Sequence, residues 1–233
     1  MKKLKILAII LARKNSKGLR NKNIKILNGK PLIFYTINVL KKSKYIDKII
    51  VSTDCKNISN ISKKFGADVP FLRPKSFARD LSTSEEALHY TLKKIIDEEY
   101  FNPDLIVYSQ ITEPFKTTKI IDSAIELILK GNCDTVFAAK PFKKNLWTDK
   151  GKKLKRLNSF QKYGLPRQKK KNLFREDTGI VCVTTKKNIL DKKRIGKKIK
   201  IIKYENPFDY IDIHNKYDFE VANFILKKKL FSF

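Results

Sequence analysis

From Leu4 to Ala12 nearly every position is apolar and many are β-branched, and at Arg13 the chain turns abruptly polar. A short apolar run without polar alternation predicts a strand covered on both faces, as in a parallel sheet flanked by helices. Similar runs recur at residues 48–53, 105–110, 135–139, 178–184 and 199–204. Between them the apolar positions change to helical spacing. Leu32, Tyr35, Thr36, Val39 and Leu40 mark one such face, with Pro31 suited to the first helical position. A second helix stops at Gly66, and a third is capped by Ser82 or Thr83 with Glu85 or Glu86 in its first turn. Others span 117–130 and 215–230, while two prolines keep 68–74 extended. This alternation predicts an α/β fold, doubly wound around a mainly parallel sheet.

The rhythm breaks at Lys140. Residues 140–172 carry Lys-rich turns, the lone Trp147, Gly151, Gly164 and Pro166, with no clean period. A loop of that length inside a compact domain carries function or has structure of its own; the competing reading is a disordered surface insertion. No internal repeat interrupts the chain, and 1–233 reads as a single domain with this insertion.

Composition narrows the classes. No apolar run approaches the about 20 residues needed to cross a bilayer, and Arg13 ends the first run too early for a signal peptide. Cys55, Cys133 and Cys182 are scattered without metal-type spacing, which fits a reducing, cytoplasmic compartment. The formal net charge of +29 admits nucleic acid, an anionic small substrate or a lysine bias. The excess is mostly Lys and runs the length of the chain, with no nucleic-acid module attached, so a basic nucleic-acid-binding protein is kept only as an alternative.

The candidate chemistry starts where the first strand ends. Arg13, Lys14, Lys17, Arg20 and Lys22 fall within ten residues, broken by Ser16 and Gly18. A loop of this kind at the carboxyl end of a parallel strand offers backbone N–H groups and cations to phosphate. It has neither the P-loop spacing nor Gly-x-Gly-x-x-Gly, and on charge alone it reads equally as a solvated turn.

The residue order Leu11-Ala12-Arg13-x-x-Ser16-Lys17-Gly18-x-x-x-Lys22-Asn23 resembles the nucleotide-binding loop of the CMP-sialic acid synthetases (acylneuraminate cytidylyltransferases). Further landmarks follow in the family's order: Val51-Ser52-Thr53-Asp54, Phe65-Gly66-Ala67-Asp68-Val69, Leu72-Arg73-Pro74 and Ala78-Arg79-Asp80. Gln110-Ile111-Thr112-Glu113-Pro114-Phe115-Lys116-Thr117 is similar to the family's Gln-Pro-Thr-Ser-Pro-Leu-Arg-Thr segment. Pro166-Arg167-Gln168, Phe174-Arg175 and Tyr210-Ile211-Asp212-Ile213-His214 complete the series.

The resemblance implies a Rossmann-like nucleotidyltransferase fold and transfer of CMP from CTP to a nine-carbon α-keto sugar acid. Arg13 and Lys22 would then neutralise the triphosphate, assisted by Ser16, and Asn23, Arg73 and Ser84 would bind the nucleotide. Gln110, Arg167 and Arg175 would face the sugar, since a guanidinium takes a carboxylate bidentately. Asp212 and His214 would serve a catalytic Mg²⁺, with Mn²⁺ as the other candidate metal. In the family the region matching 140–172 is an arm that crosses to a second subunit, which implies a homodimer; Phe142, Leu146, Trp147, Leu154, Leu157 and Phe160 supply its apolar residues.

Three departures from the family pattern matter, the first two for the sugar and the third for the metal. Glu113 and Lys116 replace the family's Ser and Arg, the stretch after Arg175 is one residue longer, and His214 replaces an Asp. A same-fold enzyme for a shorter keto-deoxy sugar acid is the alternative within enzymes.

Overall fold

The computed structural model describes residues 3–15, 18–79, 82–149, 151, 153–160, 164–208 and 210–233. In chain order the elements are β1 (Ile6–Leu11), the short hairpin β2 (Ile26–Leu27) and β3 (Lys30–Pro31), α1 (Leu32–Lys41), β4 (Lys48–Ser52), α2 (Lys56–Lys64) and α3 (Ser84–Asp97). Then come β5 (Leu105–Tyr108), α4 (Thr118–Leu129), β6 (Thr135–Phe142), β7 (Trp147–Asp149), β8 (Leu154–Arg156), β9 (Leu173–Glu176), β10 (Cys182–Thr185), α5 (Lys186–Leu190), β11 (Ile199–Lys203) and α6 (Lys216–Lys227).

The main sheet runs in the order β11-β6-β10-β5-β1-β4, with β9 also paired to β6. β1 pairs in parallel with both β4 and β5, and β11 with β6. β10 runs against β5 and β6, and β9 against β6, so the sheet is mainly parallel.

Both sheet faces are covered, which is why β1 reads as unbroken apolar sequence. Ile6, Ala8, Ile10 and Ala12 belong to one core with α1, α4 and α6, while Leu7 and Ile9 belong to the other with Leu88, Leu92 and Ile95 of α3. Strand parity alone makes this division. α3 begins with a complete capping box, in which Thr83 accepts from the Glu86 amide at 3.1 Å and Glu86 accepts from the Thr83 amide at 2.9 Å.

Between 140 and 172 the described residues form more regular structure than their sequence suggests. β6 continues through Pro141 to Phe142, β7 and β8 form an antiparallel hairpin, and the chain returns to β6 as β9. The sequence misses β9 because an edge strand of four residues, Leu173–Glu176, shows no period. The strand expected at 178–184 begins only at Cys182, since a turn closed by the Ile180 amide on the Asp177 carbonyl at 3.2 Å precedes it. Trp147, Leu154, Leu157 and Phe160 are all exposed, Leu154 at 71%. Among the described residues no helix is long and apolar enough to cross a membrane.

Candidate active site

The loop after β1 is anchored at both ends. The Ala12 amide donates to the Ser52 carbonyl at 3.0 Å, and the Lys14 amide to Asp54 Oδ1 at 2.8 Å. Asn23, nearly buried, donates through Nδ2 to the Arg13 carbonyl at 2.9 Å and closes the loop on itself. Ser16 lies outside the described residues, as does Asp80 of the landmark after Arg73.

The loop's far side meets the segment before α6. A Cβ on Gly18 would lie 2.0 Å from the His214 carbonyl oxygen, a backbone atom that cannot swing away, so only glycine permits the approach. Lys22 Nζ donates to the Ile213 carbonyl at 2.7 Å. Burial lowers the proton affinity of Lys22, the Asp212 charge acts against that, and the Arg13 charge adds to it. Arg13 and Asp212, nearly two hundred residues apart in sequence, are therefore both close enough to Lys22 for their charges to act on it.

Beside this junction is a cavity of about 280 Å³ lined by Leu11, Arg13, Asn23, Arg73, Ser84, Tyr108, Gln110 and Thr112, with residues of the 77–83 turn closing one wall. It sits beyond the carboxyl ends of β1 and β5, where β1 is flanked by β4 on one side and β5 on the other. That reversal of strand order is the usual crevice for ligands in an open α/β sheet. Parity again decides the lining: Leu11 and Tyr108 are on the α3 face.

Arg73 is 4% exposed, its Nη1 donates to Ser52 Oγ at 3.3 Å, and its Nε has no hydrogen-bond partner. A guanidinium buried in that way is not surface charge. Burial lowers its proton affinity, with Asp54 opposing. Ser84 opens α3 and receives a long contact, 3.5 Å, from the Tyr108 hydroxyl. Gln110 is fixed through its backbone, its amide donating to the Gly179 carbonyl at 2.8 Å and its carbonyl accepting from Thr36 Oγ1 at 3.2 Å. His89 lies outside this lining, with Nδ1 3.3 Å from the Ile189 carbonyl.

Arg175, on β9, pairs with Asp177 at 2.9 Å, and its guanidinium stands 5.7 Å from the Tyr210 ring centroid. Lys140 lies over the same ring at 2.8 Å, and burial together with Arg175 pushes its proton affinity down to about 8. Arg167 is not brought to the main cavity. It lines a separate hollow of about 520 Å³ with Phe142, Lys143, Lys144, Lys170 and Tyr210, so Tyr210 adjoins both arginines.

Asp212 Oδ2 accepts from His214 Nε2 at 2.8 Å, while its Oδ1 is buried without a hydrogen-bond partner. An unsatisfied carboxylate oxygen suits a hard cation. His214 commits Nε2 to bracing that carboxylate, which differs from two ligands standing side by side. Among the described residues no group of three or more His, Cys, Asp or Glu could hold a metal, so an ion here would need further ligands from substrate and water.

The cytidylyltransferase family pattern matches residues 7–205, from β1 through β11. The chain belongs to the cytidylyltransferase family. It is 41% identical over 123 residues to an N-acylneuraminate cytidylyltransferase of Escherichia coli, covering 53% of this chain and 28% of that protein. A CMP-N,N'-diacetyllegionaminic acid synthase of Legionella pneumophila is 38% identical over 124 residues, 53% of each chain. A pseudaminic acid cytidylyltransferase of Campylobacter jejuni is 32% identical over 139 residues, 60% of each. The matches thus span about half or less of the first two relatives' length. In fold, the chain superposes on a CMP-2-keto-3-deoxy-manno-octonic acid synthetase complexed with CTP at a TM-score of 0.72, covering 97% of this chain and 99% of that one at 11% identity. The family's Rossmann-like α/β fold is the one described above.

Two residues of the site escape the sequence reading. Tyr108 looks like the apolar end of a strand, and only its parity with Leu11 betrays that it faces the cavity. Asp177 sits in a stretch whose alignment is shifted by one residue, and nothing local signals its burial.

Proposed function

We propose that this cytidylyltransferase moves CMP from CTP to the anomeric hydroxyl of a sialic-acid-like nine-carbon α-keto sugar acid and releases pyrophosphate. The observation that carries the reading is the junction of the β1 loop with the 212–214 segment. There Lys22 donates to the Ile213 carbonyl beside Asp212, while Arg13 lines a cavity that also takes in Arg73, Ser84 and Gln110. Partial matches to N-acylneuraminate, legionaminic and pseudaminic acid enzymes support the substrate class.

In this reading the anomeric oxygen bonds to the α-phosphorus as the bond to the bridging oxygen breaks, and pyrophosphate carries away the charge. The hydroxyl proton passes to solvent. Such transfers depend mostly on positioning and charge neutralisation. Arg13 and Lys22 face the phosphates, Arg73 and Ser84 the nucleoside, and Gln110 and Arg175 the sugar. Asn23 acts mainly by fixing Arg13. Asp212 is the residue that would hold a divalent cation, Mg²⁺ by its preference for oxygen or Mn²⁺, and the ion would neutralise phosphate charge. His214 orients that carboxylate.

The exposed Trp147, Leu154, Leu157 and Phe160 support a second proposal, that the arm of residues 140–172 is covered in a two-fold homodimer. A sedimentation run giving a monomer that is fully active would contradict the dimer.

The reaction is tested by pyrophosphate release with each of the four ribonucleoside triphosphates against a panel of keto sugar acids. Release with CTP and a nine-carbon acid supports the reading. Preference for another triphosphate, or for an eight-carbon acid, would replace it.

A further inference from the structure

Lys116 carries its ammonium into the interior, where it is fully buried. Its Nζ donates to Ser109 Oγ at 2.6 Å, to the Gly179 carbonyl at 3.3 Å and to the carbonyl of Gln110 itself. The acceptors are neutral oxygens, and the acidic groups nearest the ammonium are Glu113, Asp212 and Asp177. Burying a lysine in this way is costly unless its hydrogen bonds are satisfied, and here they are.

Glu113 is also buried, at 5% exposure, and its carboxyl group hydrogen-bonds that of Asp177. Its Oε2 lies where a Cβ on Gly179 would be, at 1.6 Å, so residue 179 must be glycine for Glu113 to occupy its seat. Asp177 in turn accepts from Arg175 Nη2 at 2.9 Å. The same Gly179 supplies the carbonyl that takes the Gln110 amide. Contacts therefore run without a break from Gln110 through Lys116 and Gly179 to Glu113, Asp177 and Arg175.

Two carboxyl groups can hydrogen-bond only if one keeps its proton. Burial, with the Asp177 charge adding to it, holds the proton on Glu113. A neutral Glu113 then donates to Asp177 and leaves that carboxylate charged for Arg175.

We propose that Lys116, Glu113 and Asp177 form one buried positioning unit that locks Gln110 and Arg175 in fixed relation and thereby sets which acid sugar is accepted. None of the three need touch the sugar. The proposal rests on the reading of Gln110 and Arg175 as sugar-facing residues, and the experiment separates the two ideas.

The test is steady-state kinetics with CTP and three acids, N-acetylneuraminate, N,N'-diacetyllegionaminate and pseudaminate. With the best of them, Glu113→Ala is expected to raise the acid KM by about 10-fold or more while the CTP KM barely moves, the scale of one lost buried charge-assisted contact. Glu113→Gln should recover most of the loss, since an amide can also donate to Asp177. The double variant Glu113→Ala/Arg175→Ala should be no worse than Arg175→Ala, because linked residues are not additive. Should Glu113→Ala not fold, Asp177→Asn takes its place, and it should raise the acid KM where Glu113→Gln does not. An additive double variant, equal rises in both KM values, or a Gln variant as poor as Ala would overturn the positioning unit. If Arg175→Ala itself leaves every acid KM unchanged, the sugar placement fails, and the unit falls with it.

Discussion

Lys22 Nζ donates to the backbone carbonyl of Ile213 at 2.7 Å, joining the first loop of the chain to the segment that carries Asp212. The bond uses a cation that the proposed chemistry also needs. Lys22→Ala should therefore lower turnover by at least about 100-fold, the scale of losing a transition-state charge partner. It should also cost about 1–3 kcal/mol of stability, because a partly buried carbonyl loses a charged donor. Arg13→Ala should match the loss of turnover. Near-normal turnover in both variants would make the loop a solvated turn.

Gly18→Ala tests the same junction without touching a charge. The added Cβ meets the His214 carbonyl oxygen at 2.0 Å, and backbone on both sides must move. The expected result is a CTP KM raised by about 10-fold or more with the acid KM nearly unchanged, since a displaced loop weakens phosphate contacts first. Unchanged kinetics would mean that the two segments do not need their close approach.

Asp212 and His214 should separate on substitution. Asp212→Ala is expected to abolish activity, and Mn²⁺ bound together with CTP should disappear from the paramagnetic resonance signal. His214→Ala removes a brace and leaves the Asp212 carboxylate in place, so activity should fall by only about 10- to 100-fold, the usual range for loss of a residue supporting a ligand. The balance between Mg²⁺ and Mn²⁺ should shift as well. Full Mg²⁺-dependent turnover in Asp212→Ala would move the metal site elsewhere.

The buried carboxyl of Glu113 gives stability a pH dependence of known sign. Its proton affinity in the folded state is raised above the usual 4.5 by burial and Asp177. As pH climbs above that value the unfolded chain releases this proton while the folded chain keeps it. Stability from this group is complete below about pH 4.5 and declines steadily through neutrality, until the folded group also ionises. Lys116 is shifted the other way, below 10.5, so its contribution is lost as pH falls from the alkaline side. The melting temperature of Glu113→Gln should therefore gain on the unsubstituted protein as pH rises from about 5 to 8. Parallel curves would show that Glu113 is ionised in the folded protein.

The sheet and its helices were legible because two-sided burial leaves plain apolar runs, and because Ser82 or Thr83 followed by Glu85 or Glu86 announces α3. The order within the sheet was not. Nothing in Leu173–Glu176 says that it pairs with β6, since an exposed edge strand imposes no pattern on its residues. The loop after β1 and Asp212 could be named from motifs, but their meeting depends on a glycine contact that no spacing reports. Arg73 shows the reverse case. Nothing in its extended, proline-bounded segment signals burial, yet Arg73 is 4% exposed and lines the cavity, its backbone amide donating to the Thr53 carbonyl at 2.7 Å. The Glu113–Asp177 pair was visible only as departures from a pattern, because burial and proton sharing are properties of the folded chain.

CMP transfer to the sugar acid is read out by ³¹P magnetic resonance of a reaction mixture containing CTP, Mg²⁺ and a nine-carbon keto sugar acid. The CTP signals should give way to pyrophosphate and one new phosphodiester resonance in equal amounts, with no reaction when the acid is omitted. Pyrophosphate without the new phosphodiester, or CTP left intact with every acid tried, would contradict it.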